Sequence, residues 1–130
     1  MSLSERLEKE LIEFARQLVR LQSYSDNEGA VAEAVVAKMR ELGYDEAFID
    51  STGNAVGFIG GGERLIHFDS HMDTVEVNDA EAWLLPPFAA EIKEGRLYGR
   101  GSVDMKSALA ASVYGAALAR ELGYAKDKRI

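Results

Sequence analysis

The sequence predicts an α/β fold, a layered sheet with flanking helices, and three observations carry that expectation. Apolar residues recur every three or four places in some stretches, which is helical spacing. Short runs rich in Val, Ile, Phe and Tyr, bounded by Gly, Asn and Ser, read as strands. The two kinds alternate along the chain, which favours layers of helix and sheet over a bundle or a sandwich. No repeat, low-complexity tract or linker divides the 130 residues, so one structural unit is expected.

From Ser4 to Leu21, the residues Leu7, Leu11, Phe14, Leu18 and Leu21 share a helical face, with Ser4 placed to act as N-cap. A second helix is expected from Asp26 or Asn27 through "EGAVAEAVVAKMREL", stopping at Gly43, which tolerates positive φ. "AFID" and "AVGFIG" flank the turn signal "STGN" and read as a hairpin. After a turn at Gly60-Gly61-Gly62, "RLIHFDSH" reads as a strand with Leu65, Ile66 and Phe68 fit for burial, opening into a loop from Thr74 to Phe88. "AEIKEGRLYG" is a second hairpin turning at Glu94-Gly95. A small-residue-rich helix follows from Asp104 to Leu122, ended by Gly123, and "KDKRI" approaches another strand.

Composition narrows the function classes. The formal charge of -7, with no basic block, argues against binding to nucleic acid or to an anionic membrane. Without cysteine there is neither a disulfide framework nor a thiolate site, so a bound metal must be held by His and carboxylate; this usage suits the cytoplasm. The charge-free stretch Ser107 to Ala119 is interrupted by Ser, Tyr and Gly and falls short of the ~20 residues that span a bilayer. The start, "MSLSERLEKE", has no signal-peptide core.

Two stretches carry chemistry. "HFDSHMDTV" sets His67, Asp69, His71 and Asp73 on alternate positions. On a strand these side chains face one way, but neighbours two residues apart are separated by about 6.5 to 7 Å, so all four cannot reach one ion. A more economical arrangement puts one imidazole on a metal at the strand's C-terminal end, where α/β sheets hold ligands, with Asp73 gripping the other ring N–H. Spacing alone leaves the ligand role of His71 open. His67, deeper in the strand, is expected as a buried histidine hydrogen-bonded within the sheet, and Asp69 as a structural hydrogen-bonding residue. In "LYGRGSVDMKSALAA" a glycine turn leads to Asp104 at the first residue or cap of a helix, where the dipole favours a carboxylate, and an ordinary N-cap explains that placement equally well. A phosphate-loop reading of Lys106-Ser107 fails, because Arg100 and Met105 occupy both required glycine positions.

Taken together, "HMDTV" and "GRGSVDMK" resemble a zinc metallopeptidase and amidohydrolase family that includes acetylornithine deacetylase, succinyl-diaminopimelate desuccinylase, carboxypeptidase G and aminoacylase. Its pattern is an H-x-D motif ending a strand, a W...PF loop, and GRG-x-x-D-M-K-G opening a helix. Here these read His71-Met72-Asp73, Trp83 with Pro87-Phe88, and Gly99-Arg100-Gly101 through Asp104-Met105-Lys106, with Ser107 in place of the last glycine and Ser70 in place of a common one. The resemblance implies the N-terminal portion of a zinc-exopeptidase-like catalytic domain. It implies two zinc ions, with cobalt or manganese as substitutes; His71 binds one ion, Asp104 bridges both, and Asp73 supports His71 as a catalytic residue. The substrates it implies are small molecules, N-acyl amino acids or short peptides, cleaved at an amide by zinc-activated water with a glutamate as general base.

That glutamate belongs to a Glu-Glu pair in the family, and this sequence has no Glu-Glu dipeptide. The family's later ligands and its lid or dimerisation domain have no counterpart either. The chain by itself is therefore expected to be inactive, and a half-built sheet is expected to self-associate through its open edge. The competing expectation is a non-catalytic remnant or interaction module that keeps the fold. A third, a phosphate-binding domain using Gly60-Gly61-Gly62, is disfavoured because that triplet precedes a strand rather than a helix.

Overall fold

The structure is a computed structural model and describes residues 3–130, with the side chains of the first helix described from Arg6 onward; the side chain of Ser4, the expected cap, thus lies outside what is described. Its elements run α1 (Leu3–Arg20), α2 (Gly29–Glu41), β1 (Glu46–Ile49), β2 (Ala55–Phe58), β3 (Arg64–Leu65), a short 3-10 turn (Ala80–Ala82), β4 (Glu91–Lys93), β5 (Arg96–Tyr98), a π-type turn (Ser102–Lys106), α3 (Ser107–Glu121) and β6 (Lys128–Arg129).

The helices form because each has one apolar face to bury. Phe14, Ala15, Leu18 and Val19 of α1, Val31, Val35 and Met39 of α2, and Leu109, Ala110, Val113 and Tyr114 of α3 are all buried, and most of them meet in one core. α1 packs on α3, while α2 lies across β1 and β2. Both α2 and α3 stop on a glycine with positive φ, Gly43 at 75° and Gly123 at 81°. The N–H of the following residue then reaches back to the last turn, Tyr44 to Met39 O and Tyr124 to Ala119 O, which satisfies carbonyls that would otherwise be orphaned.

β1 and β2 pair antiparallel, Glu46 opposite Phe58 and Ile49 opposite Ala55. Their turn is stapled by Asp50, whose carboxylate accepts bonds from the backbone and side chains of both Thr52 and Asn54, and these bonds hold its carboxyl down to about 2. β4 and β5 close through Glu94 and Gly95, both at positive φ, as a type I′ turn requires. β6 pairs parallel with β3, and its neighbour Ile130 exchanges two 2.9 Å bonds with Ile59, so this segment stands between β2 and β3. The glycine triplet lies beneath it: a Cβ on Gly60 or Gly62 would collide with the backbone of Asp127 or Lys128, so these glycines serve a close approach of two chains rather than an anion.

One expected strand is corrected. Of "RLIHFDSH", only Arg64 and Leu65 are paired, and Leu65, Ile66 and Phe68 are 66%, 38% and 58% exposed instead of buried. Apolar alternation marks a strand only where a neighbour supplies the ladder. Here Ile66 N–H donates to Arg129 O, and the next ladder-like bond comes at Thr74, whose N–H donates to Ser23 O. The stretch between borders a groove of about 480 Å³, walled on its other side by Ala55–Phe58 and floored by Val35, Met39, Leu109 and Val113.

Where β2 crosses α2, the absence of a side chain at residue 57 sets the spacing. A Cβ on Gly57 would lie 2.6 Å from Met39 Sδ and 2.7 Å from the Tyr44 ring. Gly57→Ala is expected to destabilise the chain by about 1–3 kcal/mol through overpacking, read as a lowered midpoint in urea unfolding.

Candidate metal centre

The site begins with the five residues that follow α1. Ser23 is fully buried; its hydroxyl donates to Met72 O at 2.7 Å and its carbonyl accepts from Thr74 N–H at 2.8 Å, while Tyr24 and Thr74 form a parallel bridge. These contacts lay residues 72–74 alongside residues 23–25. One residue further on, the Ser25 hydroxyl donates to Asp73 Oδ2 at 2.6 Å. The other carboxylate oxygen, Oδ1, lies 3.1 Å from His71 Nδ1, which is also 3.1 Å from the Asp73 carbonyl. Because both partners of Nδ1 are acceptors, that nitrogen carries a hydrogen.

Asp104 arrives from the glycine-rich turn. Gly99 is pressed against Val19 and the Pro87 carbonyl, and the next residue's N–H donates to that carbonyl at 2.7 Å. Gly101, at φ 79°, sits where a Cβ would strike Thr74 Cγ2, so the turn touches the same 72–74 stretch. Lys106 is fully buried; its Nζ donates to Leu21 O at 2.5 Å, and burial lowers its ammonium pKa to about 8. The turn thereby hangs on the segment that also holds Asp73. Between these anchors Asp104 projects into solvent, 83% exposed, with Oδ1 2.8 Å from His71 Nε2.

Asp104 was expected at the first position or cap of the last helix. It lies instead three residues ahead of α3, at φ -125° and ψ 98°, joined to Met105 by a cis peptide, and it makes no capping bond. This extended backbone turns the carboxylate away from the helix N–H groups and toward His71. His67 is exposed rather than buried in a sheet, and Asp69 is exposed as well; both border the groove, since their stretch is not sandwiched between strands. The structure thus brings His71, Asp73 and Asp104 together and leaves His67 and Asp69 apart. The aromatic loop supports the same turn: Trp83 lies under the Arg100 guanidinium at 5.0 Å, and Phe88 meets Tyr24 edge-on.

Electrostatics follow from these contacts. The Asp104 carboxylate, and behind it Asp73, raise the His71 pKa above the ordinary imidazole value. The Ser25 hydroxyl, and then His71, hold the Asp73 carboxyl below its usual range. An imidazole whose one nitrogen is gripped by a carboxylate and whose other faces a second carboxylate is a donor set suited to zinc. It supplies part of a cage: among the described residues no group of three or more His, Asp or Glu could hold an ion. Ser23 and Ser25 had no place in the sequence reading, where the only signal was two serines on alternate positions just after a helix, and Lys106 entered it only as part of a motif, without its anchoring role.

Residues 67–130 match the model of Peptidase family M20/M25/M40. Over 104 residues the chain is 39% identical to succinyl-diaminopimelate desuccinylase 2 of Ruegeria sp. (strain TM1040), covering 77% of this chain and 26% of that protein. Over 114 residues it is 32% identical to YgeY of Escherichia coli (strain K12), covering 88% of this chain and 28% of the relative. In fold it resembles human carnosine dipeptidase 1, with a TM-score of 0.76 at 17% identity over 99% of this chain and 34% of that one. It also resembles Sso-CP2, an M20 family metallo-carboxypeptidase from Sulfolobus solfataricus, with a TM-score of 0.71 at 22% identity over 99% of this chain and 29% of that one. The chain therefore spans under a third of the curated relatives.

The opposed shifts give the site a pH signature. The raised His71 contributes stability that is complete below the unfolded imidazole pKa and is lost as pH rises through the folded one; the lowered Asp73 contributes above the unfolded carboxyl pKa and loses it as pH falls through the folded one. Asp104→Asn is expected to lower the His71 pKa in an NMR titration. It is expected to reduce stability more below the unfolded imidazole pKa than above the raised folded one, where the ring has lost its charge in both states.

Proposed function

Because the chain belongs to peptidase family M20/M25/M40, we propose that it forms the N-terminal part of the catalytic domain of a di-zinc hydrolase that cleaves amide bonds of N-acyl amino acids or short peptides in the cytoplasm. The observation that carries this reading is the seating of His71, with Nδ1 3.1 Å from Asp73 and Nε2 2.8 Å from Asp104. In this reading His71 and Asp104 hold zinc, with cobalt or manganese as substitutes, and Asp73 orients His71. Zinc, when bound, supplies Lewis acidity toward water and the amide carbonyl. The contribution of this chain is orientation: Asp73 keeps the proton on Nδ1, so Nε2 of the neutral ring keeps its lone pair, and Lys106 and Gly101 hold the turn that presents Asp104.

No Glu-Glu pair is present to act as general base and further ligand. The 130-residue chain is accordingly proposed to bind zinc weakly and to turn over no N-acyl amino acid or dipeptide by itself. A non-catalytic module that keeps the fold is the second reading, favoured by the lack of a three-ligand group among the described residues. No helix of the described residues is long and apolar enough to cross a membrane.

Zinc titration separates the two readings. Wild type is expected to bind at least tenfold more tightly than His71→Ala or Asp104→Ala, and equal binding by all three rejects the metal assignment. The exposed Leu65 and Phe68, beside backbone without ladder partners, are further expected to drive self-association. Light scattering that shows a monomer at all concentrations would count against that part of the proposal.

A further inference from the structure

We propose that Ser25 is a positioning residue for this centre: its hydroxyl fixes the Asp73 carboxylate so that one oxygen faces His71 Nδ1 and the ring presents Nε2 to Asp104. The inference rests on the metal-centre reading, and it adds a residue that lies outside the two motifs carrying His71, Asp73 and Asp104.

A carboxylate on an aspartate turns broadly about its last torsion, and at 36% exposure Asp73 has water available to either oxygen. What holds it is a division of labour between its oxygens. Oδ2 accepts from Ser25 at 2.6 Å, a short charge-assisted bond, and Oδ1 is thereby left 3.1 Å from the imidazole. Ser25 is well placed for this because its own position is set by backbone. Two residues earlier Ser23 is tied to both Met72 and Thr74, and the Tyr24–Thr74 bridge keeps the two segments in parallel register, so residue 25 comes opposite residue 73. Directly after Ser25 the chain turns away, with Asp26 at φ 68° and its N–H donating to the Glu28 carboxylate. The Ser25–Asp73 bond spans 48 residues of sequence and is exposed, so it adds little to fold stability. Its effect falls on the orientation of one ring. Threonine keeps the hydroxyl, and alanine removes it.

The test uses the metal-free 130-residue chain labelled with ¹⁵N and carrying Asp104→Ala, which removes the acceptor that faces Nε2, at a pH where His71 is neutral, and reads the ring tautomer from the two nitrogen shifts. Ser25→Ala is expected to move the population from the Nδ1–H toward the Nε2–H tautomer, with Ser25→Thr restoring it and thermal unfolding unchanged. In an Asp73→Ala background, where no acceptor remains for the Ser25 hydroxyl, the Ser25 substitution is expected to be silent. Zinc affinity, measured with Asp104 intact, is expected to fall about tenfold in Ser25→Ala and to recover in Ser25→Thr. A tautomer ratio unchanged by Ser25→Ala, with zinc bound as in wild type, would overturn the role of Ser25 and leave the metal centre standing. A shifted ratio with zinc bound by none of the proteins would keep the role of Ser25 and sink the metal reading instead.

Discussion

Everything at the site depends on the pair of hydrogen bonds that Ser23 makes with the backbone of Met72 and Thr74. A fully buried hydroxyl needs a partner, and the carbonyl of Met72 is the one it takes. That requirement ties the exit of α1 to the residue directly after His71. Leu21, in the same short segment, accepts the buried Lys106 ammonium and so ties in the turn that carries Asp104. Two stretches more than thirty residues apart in sequence are thus referred to a single support, itself the continuation of a core helix. The precision of the His71–Asp104 approach belongs to that support more than to either motif, since both side chains are largely exposed.

The division between rigid support and exposed chemistry explains the electrostatics. The groups that anchor the site, Ser23 and Lys106, are buried and have one dominant partner each, so each bond replaces water outright. The groups that would meet a cation or substrate stand in solvent, where the field of two carboxylates on one imidazole is screened and each contact is worth little to folding. Function and stability are therefore carried by different residues, and a side chain such as Asp104 contributes little to holding the fold together. The net charge of -7 adds a background that favours cations over anions at this surface.

Much of this architecture was legible in the residues. The α1 periodicity, the Gly43 and Gly123 stops, and both hairpin turns are local features, and local propensity agreed with the final structure at each. His71, Asp73 and Asp104 could be singled out because they stand in two ordered motifs. What escaped the reading was non-local. "RLIHFDSH" has the alternation of a strand, but pairing belongs to the neighbour and not to the segment, so residues 67–71 stay outside a ladder. Asp104 looks like a cap because a helix does follow, yet the extended backbone between them is set by anchors at Gly101 and Lys106 that periodicity cannot show. Ser23 and Ser25 were invisible for the same reason: each acts on a residue 48 or 49 positions away.

The parallel pairing of β3 with β6 bears on the order in which this chain assembles. Residues 64 and 128 can meet only after the whole stretch between them has been gathered, and the entropy of closing so long a loop must be met before the pairing gives anything back. The hairpins β1–β2 and β4–β5 and the three helices need only near neighbours for their backbone bonds, so they carry little of that closure cost. The segment that bears His71 lies inside that loop, so it reaches its support only through contacts distant in sequence, Ser23 with Met72 and Ser25 with Asp73. Contacts of long sequence separation are thus concentrated where the candidate chemistry is, and the geometry of the site depends on the closure of the whole fold rather than on either motif.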